Sequence, residues 1–244
     1  MKNYTKKDIN SLKTSSTLAI NEKSKMLKKD GKKVFNFGFG QSPFPIPNNI
    51  VLALKNNAHQ KDYLPVQGLP DLRRVISKYI NLKIGGSFTE NNIVIGQGSK
   101  QLMFLLHLGF DGEFIFPTSS WVSYEPQAII GKNKVHWIET LRENNWFPTA
   151  EQIEKKIKSI KNKNVILILN SPNNPSGTIC KNLEEIAKVS KKYKIIILSD
   201  EIYSEIQFNG KYESISRYYP ERTIISSGLS KWCGAGGWRL GFFV

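Results

Sequence analysis

The stretch Ser226-Ser-Gly-Leu-Ser-Lys-Trp-Cys-Gly-Ala-Gly-Gly-Trp-Arg-Leu-Gly241 organises the rest of this chain. The β-branched run Thr223-Ile224-Ile225 precedes it and small residues surround Lys231. That pattern predicts a strand ending in a tight loop, with the lysine amine standing where a ligand can meet it. Arg239 follows within Gly237-Trp-Arg-Leu-Gly241, an apolar setting in which an unpaired guanidinium is costly and an anion relieves it. A nucleophilic lysine and an anion-seeking arginine then belong to one site. The bland alternative is that both are solvated, like most of the 35 basic side chains.

Working back from that stretch, Lys194-Ile-Ile-Ile-Leu-Ser199 and Val165-Ile-Leu-Ile-Leu169 are continuous apolar runs, not alternating ones, which predicts strands buried on both faces. The first ends in Asp200-Glu-Ile-Tyr203. A carboxylate at the end of a central strand loses its water and needs a cation or proton donor beside it; Asp200 is the first candidate and Glu201 the competitor. The second run delivers Asn170-Ser-Pro-Asn-Asn-Pro-Ser-Gly177, where Ser171-Pro172 and Asn174-Pro175 are candidates for cis bonds that aim Asn174 inward. Leu183 to Tyr193 reads as a helix, as does the basic stretch carrying Ile153, Ile157 and Ile160, which Pro148 or Thr149 opens.

Further upstream, the short strand Ile93-Val-Ile95 turns through Gly96-Gln-Gly-Ser-Lys-Gln101 into a helix continued by Leu102 to Leu108. A glycine-bearing turn at a helix start offers free N–H groups and the positive end of the dipole, so Gly98, Ser99 and Lys100 are candidate phosphate donors; a plain helix entry is the alternative. The spacing is neither that of the Walker loop nor of the Rossmann fingerprint. Glu113-Phe-Ile-Phe-Pro117 predicts the next strand, and Trp121, at a strand-to-helix junction, can lie on a planar ligand or pack in the core. Val135-His-Trp-Ile138 is another strand.

The N-terminal part is less regular. Residues 1–10 are polar and read as an arm, Ser16 to Asp30 as a helix stopped by Gly31, and Val34 to Gly40 as a strand running into a proline-rich turn. Helices are expected at Asn48–His59 and Asp71–Asn81, separated by the loop that carries Tyr63.

Composition narrows the classes. The 244 residues can bury a sizeable core, and 40% hydrophobic with 23% charged content is that of a soluble globular chain. The net charge of +15 comes from lysines scattered along the length, without the arginine-aromatic stripe of a nucleic-acid surface. Cys180 and Cys233 match no metal or redox spacing, no apolar run approaches the roughly 20 residues of a membrane helix, and the N-terminus has no signal-peptide core. The expectation is a cytoplasmic protein with neither membrane nor nucleic-acid partner.

Segment 226–241 resembles the cofactor-lysine signature of the class I/II pyridoxal-phosphate aminotransferases, a Ser-Lys followed by Gly-Trp-Arg-Leu/Ile-Gly. Similar matches occur, in the family's order, in Thr17–Lys23, in Tyr63-x4-Gly-x3-Leu-Arg73, in Pro117-x3-Trp121-x2-Tyr124, in Asn170–Gly177 and in Asp200-x2-Tyr203. The resemblance, which runs from about residue 17 to the last residue, implies a fold-type I α/β protein: a three-layer α/β/α architecture on a mostly parallel central sheet. Residues 46–244 would form the large domain that binds pyridoxal 5'-phosphate, and residues 1–45 an N-terminal arm with part of a small domain. It also implies the roles of single residues. Lys231 would carry the cofactor covalently and move protons; Asp200 would face the protonated ring nitrogen; Asn174 and Tyr203 would hold the ring hydroxyl; Trp121 would stack on the ring. Gly98, Ser99, Lys100 and Arg239 would hold the phosphate, joined by Tyr63 from the neighbouring subunit of a homodimer. The Gly40 backbone N–H, with Trp121 and Asn174, would meet the substrate. Gly228 departs from the pattern, since many members carry a phosphate-binding serine there, for which Ser227 or Ser230 can substitute.

The implied reaction moves an amino group from an amino acid to a 2-oxo acid. Another fold-type I enzyme (a C–S lyase, a decarboxylase or a regulator's sensing domain) would share every cofactor contact, because those contacts do not select the bond that breaks. A basic nucleic-acid-binding module would leave the Asn174 and Asp200-Tyr203 matches to chance. Family members continue well beyond Val244 and supply an arginine for the substrate carboxylate, so the expectation is a fragment, weak or inactive alone.

Overall fold

The computed structural model describes residues 4–12, 14–38, 40–162, 164–208 and 212–244. In chain order the helices are α1 (Lys7–Asn10), α2 (Ser16–Lys29), α3 (Asn48–Asn57), α4 (Pro70–Ile84), α5 (Ser99–Gly109), α6 (Tyr124–Ile130), α7 (Ala150–Ser159) and α8 (Leu183–Lys192). The strands are β1 (Val94–Gln97), β2 (Glu113–Pro117), β3 (Val135–Ile138), β4 (Val165–Asn170), β5 (Ile196–Asp200), β6 (Thr223–Gly228) and β7 (Leu240–Phe243). They form one sheet in the order β1-β7-β6-β5-β4-β2-β3. The neighbours β6, β5, β4, β2 and β3 are all parallel, and β7 runs antiparallel to both β6 and β1. This is the mostly parallel α/β sheet expected.

Residue alternation explains the three layers. On β4, Ile166 and Ile168 face one side, where they pack with Met103 of α5, Tyr124 and Ala128 of α6, and Phe114, Phe116 and Leu198. Val165, Leu167 and Leu169 face the other, against Ile153 and Ile157 of α7 and Leu183, Ile186 and Ala187 of α8. Every residue of β4 is buried, as a continuous apolar run requires. A third cluster packs Ile76, Ile80 and Ile84 of α4 on Ile225 and Phe242. Helix α7 starts where Thr149 accepts from the Gln152 N–H at 3.2 Å and Gln152 Oε1 accepts from the Thr149 N–H at 2.9 Å, a reciprocal cap.

Several sequence expectations need correction. Residues 34–38 form no strand: the seven-stranded sheet leaves them without a neighbour to pair with, and Phe35 and Phe37 are exposed. Phe39 of the same run lies outside the described residues. The expected polar arm contains one helical turn, α1. Helix α5, by contrast, begins at Ser99 within the glycine-bearing turn, as expected, because Gly98 at φ 82° turns the chain directly from β1 into it. Helix α3 forms where expected, but none of its residues is buried. Among the described residues no helix is long and apolar enough to cross a membrane.

Candidate active site

The parallel strands deliver their carboxyl ends to one edge of the sheet, the place where open α/β sheets bind ligands. Asp200 ends β5, Asn170 ends β4 beside it, and β6 runs out at Gly228 into the loop that carries Lys231. Asp200 is buried, with the Tyr124 hydroxyl donating to Oδ2 at 2.6 Å and the Ile202 N–H reaching Oδ1 at 3.4 Å. Burial raises its carboxyl from 3.8 to about 6, while those two donors and the charge of Lys231 pull it back. Tyr124 is itself pushed well up, first by burial and then by Asp200, so it stays a proton donor.

The Lys231 amine donates to the Gly40 carbonyl at 2.9 Å and lies 5.5 Å from the centre of the Tyr203 ring. Burial lowers its affinity for the proton below the ordinary lysine value, against the attraction of Asp200. Gly40 thus touches the lysine through its carbonyl. Asn174 Nδ2 donates to the Tyr203 hydroxyl at 3.2 Å, and the Asn174 N–H donates to Asn170 Oδ1 at 2.7 Å. Asn170 Nδ2 in turn donates to the Asp200 carbonyl at 2.8 Å, so the turn after β4 is tied to the end of β5. Both Ser171-Pro172 and Asn174-Pro175 are cis. Tyr203 is raised by burial first and by Asp200 second, with Asn174 opposing.

A second group of residues forms at the start of α5. A Cβ on Gly98 would strike the Arg239 guanidinium, and one on Gly241 would strike the backbone of Gly98 and Ser99, so glycine at both positions lets β7 and its arginine close on the helix start. Arg239 sits on an exposed turn at φ 57°, in place of the apolar setting expected, and donates to the carbonyls of Gly236 at 2.6 Å and Gln97 at 3.3 Å. Lys100 lies 5.3 Å from the Trp121 ring, its ammonium disfavoured by burial and then by Arg239. Trp121 stands edge-on to Tyr124 at 5.4 Å, which connects this group to Asp200. Tyr63 meets none of these: its side chain is fully exposed, on a loop held by Gly68, where a Cβ would collide with Ile95. At Gly228 a Cβ would lie 2.6 Å from the Leu240 carbonyl, so the β6–β7 approach leaves no room for a serine.

The model of the family described as aminotransferase class I and II matches residues 32–244. The chain belongs to the class I and II aminotransferases. An asparagine–oxo-acid transaminase of Streptococcus mutans is 35% identical over 245 aligned residues, covering 96% of this chain and 62% of that protein. An aspartate aminotransferase of Bacillus sp. YM-2 is 34% identical, covering 99% of this chain and 64% of its own length. Among solved structures, the Thermus thermophilus aspartate aminotransferase with maleate superposes with a TM-score of 0.91 at 28% identity, over all of this chain and 64% of that one. This chain therefore spans a little under two thirds of the relatives it matches.

The residues of this chain fit the phosphorylated pyridine aldehyde that the resemblance implies. Among the described residues Asp200 is a buried carboxylate with no cation in hydrogen-bonding contact, α5 opens without a side-chain cap beside the Arg239 guanidinium, and the Lys231 amine, with a weakened hold on its proton, is electrostatically coupled to Asp200. Sequence reasoning missed Tyr124 as the donor to Asp200 and Asn170 as the tie between the two turns. The signal for Tyr124 was present, three residues after Trp121, but only the packing of α6 on β5 shows what its hydroxyl meets.

Proposed function

We propose that this protein is a pyridoxal 5'-phosphate-dependent aminotransferase that moves an amino group from an amino acid to a 2-oxo acid and works as a cytoplasmic homodimer. The observation that carries the reading is the buried Asp200 carboxylate at the end of β5, set beside the depressed amine of Lys231. Gly98, Ser99, Lys100 and Arg239 would hold the phosphate, Trp121 would cover the ring, and Asn174 with Tyr203 would hold the ring oxygen. When bound, the cofactor supplies an electron-accepting ring and an aldehyde that takes an amino group.

The chain's own residues supply the proton chemistry. The Lys231 amine, whose charge burial disfavours, would take the proton from the substrate α-carbon and deliver it to the cofactor carbon that receives the amino group. Asp200, ionised near neutral pH, holds a proton on the ring nitrogen, and the Tyr124 hydroxyl fixes the carboxylate that does so. Gly40 orients the lysine through its carbonyl and, with Trp121 and Asn174, borders the substrate. Residues 1–45 would be the arm and part of a small domain and 46–244 the large domain, whose sheet starts at Val94. The fully exposed Tyr63, beside exposed Leu64, Val66 and Leu69, supports a subunit interface there. Two free cysteines suit a reducing compartment.

The test is an absorbance spectrum, borohydride reduction and peptide mapping, followed by an amino-donor screen that starts with aspartate and asparagine, the donors in the relatives' names. An adduct at Lys231 with amino transfer supports the reading. An adduct with elimination or loss of CO2 would make the protein another enzyme of the same fold, and an adduct elsewhere, or none, would refute the site.

A further inference from the structure

Glu201 lies between the two residues of β5 and its turn that line the site, yet its side chain goes to the opposite face of the sheet. There it is buried and accepts from the Ser199 hydroxyl at 2.7 Å and the Ser214 hydroxyl at 2.6 Å, while Ser214 exchanges a further hydrogen bond with Ser216 at 2.8 Å. Ser199 is on β5 itself, whereas Ser214 and Ser216 lie across a chain excursion at the turn Ile215–Arg217. The Glu201 backbone joins the same structure, its N–H donating to the Ser226 carbonyl of β6 at 2.8 Å and its carbonyl accepting from the Ser204 N–H at 2.9 Å. Lys83 of α4 closes the cluster from outside. It donates to the Ser204 hydroxyl at 3.1 Å, pairs with Glu205 and lies 4.3 Å from the Tyr212 ring.

We infer that Glu201 is a positioning residue, which clamps the Asp200–Tyr203 turn from behind the sheet through Ser199 and Ser214. This rests on the cofactor reading only in what the turn presents, Asp200 and Tyr203. The physical reason is that the other side-chain ties on Asp200 and Tyr203, from Tyr124 and Asn174, lie on the site side, whereas Glu201 binds the turn from behind. The turn leaves the sheet after Asp200, and its inward side must stay open to a ligand, so its anchor comes from the other face. A buried carboxyl is costly unless it is hydrogen-bonded, and the two serines, from separate segments, converge on one oxygen, Oε1, which fixes where the side chain can sit. Burial does hold the Glu201 proton more firmly, up to about 7, with the two serines and Lys83 opposing and the Asp200 charge reinforcing it. A glutamine could therefore replace the carboxyl as acceptor.

The experiment is residue-resolved amide exchange on the purified cofactor-free protein and on Glu201→Gln, Glu201→Leu and Ser214→Ala, together with the affinity of each for pyridoxal 5'-phosphate. Glu201→Leu removes the acceptor of both serines. It should speed exchange at the Ser204 and Ile206 amides about ten- to hundred-fold, the effect of leaving buried hydroxyls without their acceptor, while the amides of β4 stay as they were. Glu201→Gln should restore slow exchange and cofactor affinity, and Ser214→Ala, the milder change, should fall between. Unchanged exchange in the leucine variant, an equal acceleration in β4, or a glutamine variant that behaves like leucine would each overturn the inference. Because exchange is read without cofactor, a failure of the Lys231 assignment leaves this result standing and distinguishable.

Discussion

Asp200→Asn should stabilise the cofactor-free protein above pH 6 while it disables the enzyme. The carboxyl is raised from 3.8 to about 6 by burial, so the folded state binds its proton more firmly than the unfolded chain does. Stability from this group is fully present below 3.8 and is lost as pH rises through about 6, the unfolded chain ionising first. At 1.36 kcal/mol per unit, the loss at pH 8 is about 3 kcal/mol, and at pH 5 roughly half of that. Asparagine has no charge to bury, and its amide still meets the Tyr124 hydroxyl. Relative to wild type, the variant should therefore gain about 1.5 kcal/mol more stability at pH 8 than at pH 5. Urea unfolding of the two cofactor-free proteins at both pH values measures this difference directly. Amino transfer at pH 8 should fall by about 100-fold or more, since the neutral amide cannot hold the ring-nitrogen proton. Equal pH dependence of stability in the two proteins would show that the folded state does not strain to keep Asp200 charged, and near-native turnover would refute its role in the reaction.

Gly98→Ala places a side chain at φ 82° and ψ 152°, a region essentially reserved for glycine, and against Arg239. Unfolding free energy should drop by about 1–3 kcal/mol, with cofactor affinity falling through the phosphate end; an alanine variant of native affinity would remove this turn from the site. Mixing Tyr63→Phe protein with Lys231→Ala protein should restore activity through hybrid dimers with one intact site, whereas no recovery would mean that Tyr63 acts within its own subunit. In cofactor-free protein at pH 8, Lys231 should react with an amine-acylating reagent faster than the surface lysines, because its lowered affinity for the proton leaves more free amine. Peptide mass spectrometry reads the rates, and a Lys231 slower than the exposed lysines would count against an activated amine.

Local chemistry was enough to mark the elements whose pattern is self-contained. The unbroken apolar runs at 165–169 and 195–198 could only be strands covered on both faces, and Thr149 with Gln152 carries its own helix start. The candidate residues Asp200, Asn174 and Lys231 could be named because each sits where an apolar or small-residue run breaks, although the sequence offered Glu201 beside Asp200 as a competitor. The stretch 34–38 misled because alternation describes a strand only if a neighbouring strand is there to pair with, and no local pattern reports that. Partners lay equally beyond reach. Tyr124 and Asp200 are 76 residues apart, and only the packing of α6 on the sheet joins them. Asp200 and Glu201 are adjacent carboxylates with nearly the same local sequence. The alternation of side chains along extended backbone sends one to the Tyr124 hydroxyl and the other to the serines behind, so what distinguishes them is the side of the sheet each faces.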